Sequence, residues 1–361
     1  MGLQQGALLK DDIRAAVARE VHGAITAGRV THWDLTVFIR LVTPRIPPNM
    51  AREMQGIAAA AEVPYRDILL LNTIPELMMS TSRAVWNDQF ALSSWLNRDP
   101  PGAVMNPSGT AMAVWGPTTQ NRELLVGLTM DACPSGNCQQ VLWTIRRPTG
   151  ANAFVGLSLA GRVGIWTGIN DEQVAIAGWA VPCADEDLTA NPLSWVLRRA
   201  LEDSGNLRSA VMSVLSAMRS GGANILLGDG KVPEARAIEV TAHQHAVVTP
   251  MASESSLVRA SHFVDEELAR LQPPSLLRDH LRESHAQYDQ WSDFLASNYG
   301  LMDIVRGLAL LQSYSPPDCP PARILLYPAR LTVWSCYCDG ADSTPYPVKV
   351  DLADALRVGS R

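Results

Sequence analysis

The sequence has no long hydrophobic run and no block of positive charge. None of its 361 residues lies in an uninterrupted apolar stretch of about eighteen, the length a membrane-spanning helix needs. Lysine and arginine total 30 against 36 aspartates and glutamates, for a net charge of −6, so nucleic acid is a poor candidate partner. The first twelve residues lack the basic and apolar halves of a signal peptide, and we expect a cytoplasmic protein that is not bound to a membrane.

The sequence also lacks the cysteine spacing of a zinc site and the glycine spacing of a dinucleotide site. Its six cysteines are Cys133, Cys138, Cys183, Cys319, Cys336 and Cys338, and no two of them have the two-residue gap of a zinc knuckle. A long chain without a secretion signal does not need a disulfide framework. Gly221 and Gly222 lack the spacing of a glycine-rich fingerprint. We therefore predict no metal and no cofactor.

What the sequence does contain is enough apolar material for a substantial core. Hydrophobic residues make up 47% of the chain and charged residues 18%. Apolar residues recur at helical spacing through most of the first hundred residues, whereas short apolar runs such as Ala111 to Trp115 and Leu124 to Thr129 indicate strands from Thr110 onward. Helical spacing returns at 192–220 and 264–311. This alternation of helical and strand blocks predicts an α+β layered architecture.

Several motifs occur in an order that resembles the penicillin acyltransferase family of N-terminal nucleophile hydrolases. The resemblance covers nearly the whole chain, although each motif alone is weak. The motifs are Glu53-Met54-Gln55-Gly56, Leu69-Leu70-Leu71-Asn72, the strand at Thr110, Gly127-x-Thr129-x-Asp131, Gly161-Arg162-Val163-Gly164, Gly222-Ala223-Asn224, Ala237-Ile238-Glu239-Val240, Arg259-Ala260-Ser261-His262 and Leu331-Thr332-Val333-Trp334-Ser335.

The resemblance implies a four-layer αββα sandwich that is made as a precursor. In that family the chain cuts itself, so that a Cys, Ser or Thr becomes the first residue of the larger fragment and its own α-amine acts as the base. Residues 1–109 would correspond to the small, mainly helical fragment and residues 110–361 to the large fragment, together forming one domain.

The chain departs from this pattern at the nucleophile. The family cysteine maps onto Gly109, which has no side chain to attack with. Three alternatives follow: Thr110 is the nucleophile, Ser108 is, or the covalent step has been lost. A one-residue shift turns a strand side chain to the opposite face of its sheet, which argues against Thr110. Leu128 also stands where many relatives carry Arg or Gln.

Other residues of the predicted site keep polar groups. Asp131 would orient an amine or polarise a substrate, or is a turn acid at a strand end. Asn224 would donate its side-chain N–H to an oxyanion, or satisfies buried backbone near Gly221 and Gly222. We place Gly109, Trp115, Thr129 and His262 in the substrate-binding set.

These residues leave three functions open. The first, and the one we favour, is an uncleaved small-molecule enzyme that uses noncovalent acid, base or oxyanion chemistry, such as a condensation, cyclisation or isomerisation in natural-product biosynthesis. The second is an acyltransferase or amide hydrolase whose exposed nucleophile is Thr110 or Ser108. The third is a noncatalytic binding homologue. The sequence leaves the oligomeric state open.

Overall fold

The computed structural model describes residues 1–79, 109–130, 141–146, 149–251, 253–272, 278–313, 322–337 and 346–358. The helices are α1 (Gly2–Leu8), α2 (Lys10–Ala16), α3 (Gly23–Thr26), α4 (His32–Val42), α5 (Pro48–Ala61), α6 (Tyr65–Met79), α7 (Leu193–Asp203), α8 (Leu207–Ser216), α9 (Glu266–Ala269), α10 (Arg278–Ser297), α11 (Ile304–Gln312) and α12 (Leu352–Val358). A π-helical segment, Val17–His22, joins α2 to α3, and short 3-10 turns occur at Thr43–Arg45 and Pro328–Arg330.

Thirteen strands are present in the described residues. They are β1 (Gly109–Gly116), β2 (Arg122–Met130), β3 (Val141–Arg146), β4 (Phe154–Leu159), β5 (Thr167–Asn170), β6 (Val174–Ala180), β7 (Ala223–Asp229), β8 (Glu234–Val240), β9 (His245–Val248), β10 (Ser256–Arg259), β11 (Ala322–Tyr327), β12 (Thr332–Tyr337) and β13 (Tyr346–Asp351). The first sheet has the order β10-β1-β2-β11-β12-β13, and the second has the order β3 to β9 in sequence. All of these pairings are antiparallel.

The two sheets lie face to face between two layers of helices. Strands β1 and β2 face β6, β7 and β8. Helices α10 and α11 cover the outer side of the first sheet, and α7 and α8 cover the outer side of the second. This order confirms the expected four-layer αββα sandwich. The division into segments 1–109 and 110–361 stays a prediction.

The strands have this arrangement because both of their faces are apolar. On β1, Ala111 and Ala113 enter the core between the sheets, whereas Met112 and Val114 pack under α10 and α11. Strand side chains alternate between faces, so each of these strands can contribute to two cores at once. The N-terminal helices form a further core around buried residues such as Phe38, Met54 and Trp195.

The sequence missed some elements. The apolar run at 163–169 predicts a strand over its whole length, but β5 begins only at Thr167. The apolar pattern of the sequence predicts neither β13 nor α12. The polar and aromatic stretch from Ser80 to Asp99 predicts a long loop, and that interval lies outside the described residues. No helix in the described ranges is both long and apolar enough to cross a membrane.

Candidate functional site

The expected nucleophile position, Gly109, is the first residue of β1 and is buried. Its N–H donates to Ser261 Oγ at 2.8 Å, and the same hydroxyl donates to Gly109 O at 3.1 Å. Ser261 lies two residues after β10, the strand that pairs with β1. The Ser261 hydroxyl thus extends the pairing of the two strands by one side-chain contact, and it fixes the backbone of residue 109.

The space beside Gly109 is filled by the ring of Trp179. A Cβ atom on residue 109 would lie 3.0 Å from Trp179 Cγ and 3.2 Å from Cδ2, and 3.0 Å from the carbonyl oxygen of Thr129. Trp179 is on β6 and is 0% exposed, and its Nε1 donates to Ala260 O at 3.3 Å. A side chain at position 109 would therefore require the anchored indole and the β2 backbone to shift by a few tenths of an ångström.

Thr110 lies on the other face of β1. Its Oγ1 donates to Gln287 Oε1 on α10, and its side chain is fully buried there. Thr129, its partner on β2, donates from Oγ1 to Thr110 O at 3.3 Å. The alternation rule predicted opposite faces for residues 109 and 110, and the structure has them: Thr110 faces the helix layer and not the space between the sheets.

Asn224 lies between Trp179 and Glu239 in a row across β6, β7 and β8. Its Nδ2 donates to Ala260 O at 2.6 Å and to His262 O at 2.7 Å. Both amide hydrogens are therefore engaged by the backbone that follows β10. The Oδ1 atom is buried and has no hydrogen-bond partner within the part of the chain that the structure describes. The backbone that Asn224 satisfies is thus the 260–262 segment.

Glu239, the third member of the row, forms a buried ion pair with Arg259. The distance from Arg259 Nε to Glu239 Oε1 is 2.9 Å, and both side chains are almost inaccessible. The carboxylate also accepts from Val264 N and from Asp265 N, each at 2.9 Å. Three polar contacts of this kind compensate the cost of burying a charge. The pair joins the two sheets near the end of β10.

His262 and Trp115 lie in different surroundings. His262 is buried, with Nδ1 2.8 Å from Ser284 Oγ on α10, and its ring centroid is 3.8 Å from that of His285. Trp115 belongs to the core between the sheets. It is six residues along β1 from Gly109, a separation of roughly 20 Å at the rise of an extended strand. The structure therefore does not bring Trp115 to Gly109.

Of the remaining residues that the sequence singles out, two lie outside the described ranges and one lies within them. Ser108 and Asp131 lie outside the described residues. Leu128 is buried in the core between the sheets, opposite Ala111. Among the residues that the structure describes, no group of three or more His, Cys, Asp or Glu side chains could hold a metal ion.

From the sequence, Trp179 is expected only as part of the core or of a pocket wall, with no link to Gly109. No sequence pattern indicates that Ser261 and Gln287 are the partners of residues 109 and 110. These are contacts between segments more than 60 residues apart in sequence, and no local pattern encodes them. A glycine at a position where a nucleophile is expected was the only available signal.

Comparisons with known proteins find only distant similarity. No family model matches it. An uncharacterised protein of Archaeoglobus fulgidus is 23% identical over 329 residues, covering 81% of this chain and 53% of that protein. The chain thus spans about half the length of that relative.

Three solved structures resemble it. One is the Caenorhabditis elegans orthologue of N-acylethanolamine-hydrolysing acid amidase, with a TM-score of 0.45 and 14% identity, covering 66% of this chain and 99% of that one. Two are variants of the conjugated bile acid hydrolase of Clostridium perfringens, each with a TM-score of 0.44 and 12% identity, covering 68% of this chain and 93% of that one. With TM-scores below 0.5 these likenesses carry no argument about activity, and the penicillin acyltransferase assignment stays a prediction.

Proposed function

We propose that this chain is an uncleaved enzyme for a small molecule, built on the N-terminal nucleophile hydrolase fold but working without an acyl-enzyme. Its chemistry is noncovalent acid and base catalysis, as in a condensation, cyclisation or isomerisation. The main support for this proposal is the position of the Trp179 ring. The ring lies within van der Waals contact of the place that a side chain on residue 109 would occupy. A nucleophile and its bound substrate both need that space.

The position of Thr110 supports the same proposal. An N-terminal nucleophile uses its own α-amine as base, so its side chain and its amine must face one substrate. The Thr110 hydroxyl donates to Gln287 under α10, on the face of the sheet away from Asn224 and Trp179. Cleavage before Thr110 would leave its hydroxyl on the wrong side of the sheet for a site between the sheets.

Asn224 enters the proposal as a positioning residue. Because both of its amide hydrogens are donated to the 260–262 backbone, it holds the segment that carries Ser261 against Gly109. Asp131 is proposed to remain the acid of this site, as the sequence predicts. A second candidate, a noncatalytic binding protein, is favoured by the same engagement of Asn224, because an amide that holds backbone is not free to stabilise an oxyanion.

Side-by-side mutagenesis tests the proposal. Once a turnover is found, Asp131→Asn, Asn224→Ala, Ser108→Ala and Thr110→Val would be assayed together, with folding checked by thermal melting. Loss of a group that stabilises the transition state typically costs about 10²- to 10³-fold in kcat. We expect that loss for Asp131→Asn and near-normal kcat for folded Ser108→Ala and Thr110→Val. Abolished turnover in folded Thr110→Val alone would refute the noncovalent mechanism, and full turnover in Asp131→Asn would remove Asp131 from it.

A further inference from the structure

A cleft opens on the helix side of the second sheet, away from Gly109. It lies where β6 ends and β7 begins, and its walls include Glu76, Trp166, Glu186, Leu193, Ser220 and Gly221. We call it the Glu76 cleft. Trp179 points toward the first sheet, and the next residue, Ala180, lines this cleft from the opposite face of β6. The Glu76 cleft is thus distinct from the site around Gly109.

The walls of the Glu76 cleft combine carboxylates with an aromatic ring and aliphatic side chains. Glu76, on α6, is only 9% exposed, and so is Glu186. None of the residues described as lining the cleft is basic. A concave, largely apolar site with a few convergent polar groups is the usual form of a small-ligand site. Carboxylates and an indole in one lining favour a cationic ligand.

We propose that the Glu76 cleft binds the ammonium head of a primary amine, with the Glu76 carboxylate as its counter-ion. The size of the cleft selects this ligand. Its volume is about 30 Å³, which is room for roughly two water molecules when about 10 to 15 Å³ is needed for one. An –NH₃⁺ group with its first carbon has two heavy atoms and fits, whereas a quaternary ammonium is too wide. The remainder of the amine would extend through the open mouth.

The charges around Glu76 give the binding a pH dependence. Burial raises the pKa of Glu76 to about 7, while the nearby Arg162 and the backbone N–H of Leu193 act in the opposite direction. Arg162 is itself paired with Glu20, and Glu186 is the other carboxylate of the cleft. Glu76 is therefore mostly neutral at pH 5.5 and mostly ionised at pH 8. Amine binding should be strong only at the higher pH.

Ligand-observed NMR with propylammonium chloride tests the proposal on the full chain. At constant ionic strength and pH 8 we expect a dissociation constant on the order of 1 mM, reasonable for a ligand of four heavy atoms. The affinity should fall at least tenfold at pH 5.5. Tetramethylammonium and propionate should fail to compete with propylammonium. Equal binding of tetramethylammonium, or no binding of propylammonium at pH 8, would overturn the proposal.

Two variants place the ligand in the cleft, and a third controls for charge. Glu76→Gln removes the counter-ion and should weaken binding at least tenfold, whereas Glu283→Gln, on the exposed face of α10, should not. Gly221→Val keeps both carboxylates and should narrow the cleft, since Gly221 lines it and a Cβ there would meet only Glu186 Cγ, at 3.8 Å. Unchanged affinity in folded Gly221→Val would place the amine elsewhere and refute the proposal. Because the readout is binding, its failure is separate from failure of the proposed function.

Discussion

Replacing Gly109 with alanine would drive a methyl group into the Trp179 ring. The new Cβ would lie 3.0 Å from Trp179 Cγ and 3.0 Å from Thr129 O. The oxygen belongs to the paired strand β2, and the indole is fully buried and bonded to Ala260 O. One of these two neighbours would have to shift by a few tenths of an ångström inside a densely packed core.

The magnitude follows from two opposing effects. Overpacking a dense core typically costs about 1 to 3 kcal/mol. Alanine is intrinsically better than glycine in a strand by about 0.5 to 1 kcal/mol, which offsets part of that cost. We therefore expect Gly109→Ala to lower the free energy of unfolding, measured by urea denaturation, by about 1 kcal/mol within a range of about 0 to 2.5 kcal/mol.

The matched control is Gly205→Ala, where a Cβ would meet nothing within 4 Å. That variant should be neutral or slightly stabilised, by up to about 1 kcal/mol. In a Trp179→Leu background the penalty of Gly109→Ala should shrink by about 1 kcal/mol, because only the Thr129 contact is left. If Gly109→Ala were as stable as Gly205→Ala, or if its penalty did not depend on residue 179, the indole would not fill the nucleophile's space.

Three further predictions concern buried polar groups. Glu239→Gln should lower the free energy of unfolding by about 3 to 5 kcal/mol in urea denaturation, because it leaves Arg259 charged and unpaired in the core; a loss below about 1 kcal/mol would contradict the paired geometry. Asn224→Ala should cost about 1 to 3 kcal/mol, since the buried His262 carbonyl loses its donor and Ala260 O keeps only the longer bond from Trp179 Nε1, and unchanged urea stability would show that those bonds do not matter. The pKa of Glu76 is raised from its ordinary 4.5 to about 7, so the folded state holds this proton more tightly and stability should fall as pH rises between those values. The fall is at most about 3 kcal/mol at about 1.4 kcal/mol per pH unit, and a Glu76→Gln chain that keeps the same pH dependence would refute it.

Much of the fold was predictable because it depends on local pattern. The apolar run from Ala111 to Trp115 needs two buried faces, and β1 has a core on each side. Thr31 and Asp34 form a capping box at the N-terminus of α4. The capping box fixes the first residue of a helix that apolar spacing already indicates. Alternation alone also separated Thr110 from Gly109, since period-two geometry holds whatever the neighbouring strands are.

The candidate site was less predictable because its contacts are between distant segments. Asparagine is an unusual residue at the head of an apolar strand, which marks Asn224 in the sequence. Its partners, the carbonyls of residues 260 and 262, depend on how β10 ends against β7. The ring that fills the space at Gly109 comes from β6 in the opposite sheet. Packing of this kind is decided by sheet stacking, which a single sequence does not specify.

The intact mass of the freshly purified protein tests the central claim most directly. We predict one species of 361 residues that is unchanged after prolonged incubation. Self-cleavage needs a nucleophilic side chain, and residue 109, a glycine, has none, while the Trp179 ring occupies the adjacent space. Two stoichiometric fragments, with the larger beginning at Thr110 or Ser108, would contradict it and restore an N-terminal nucleophile mechanism.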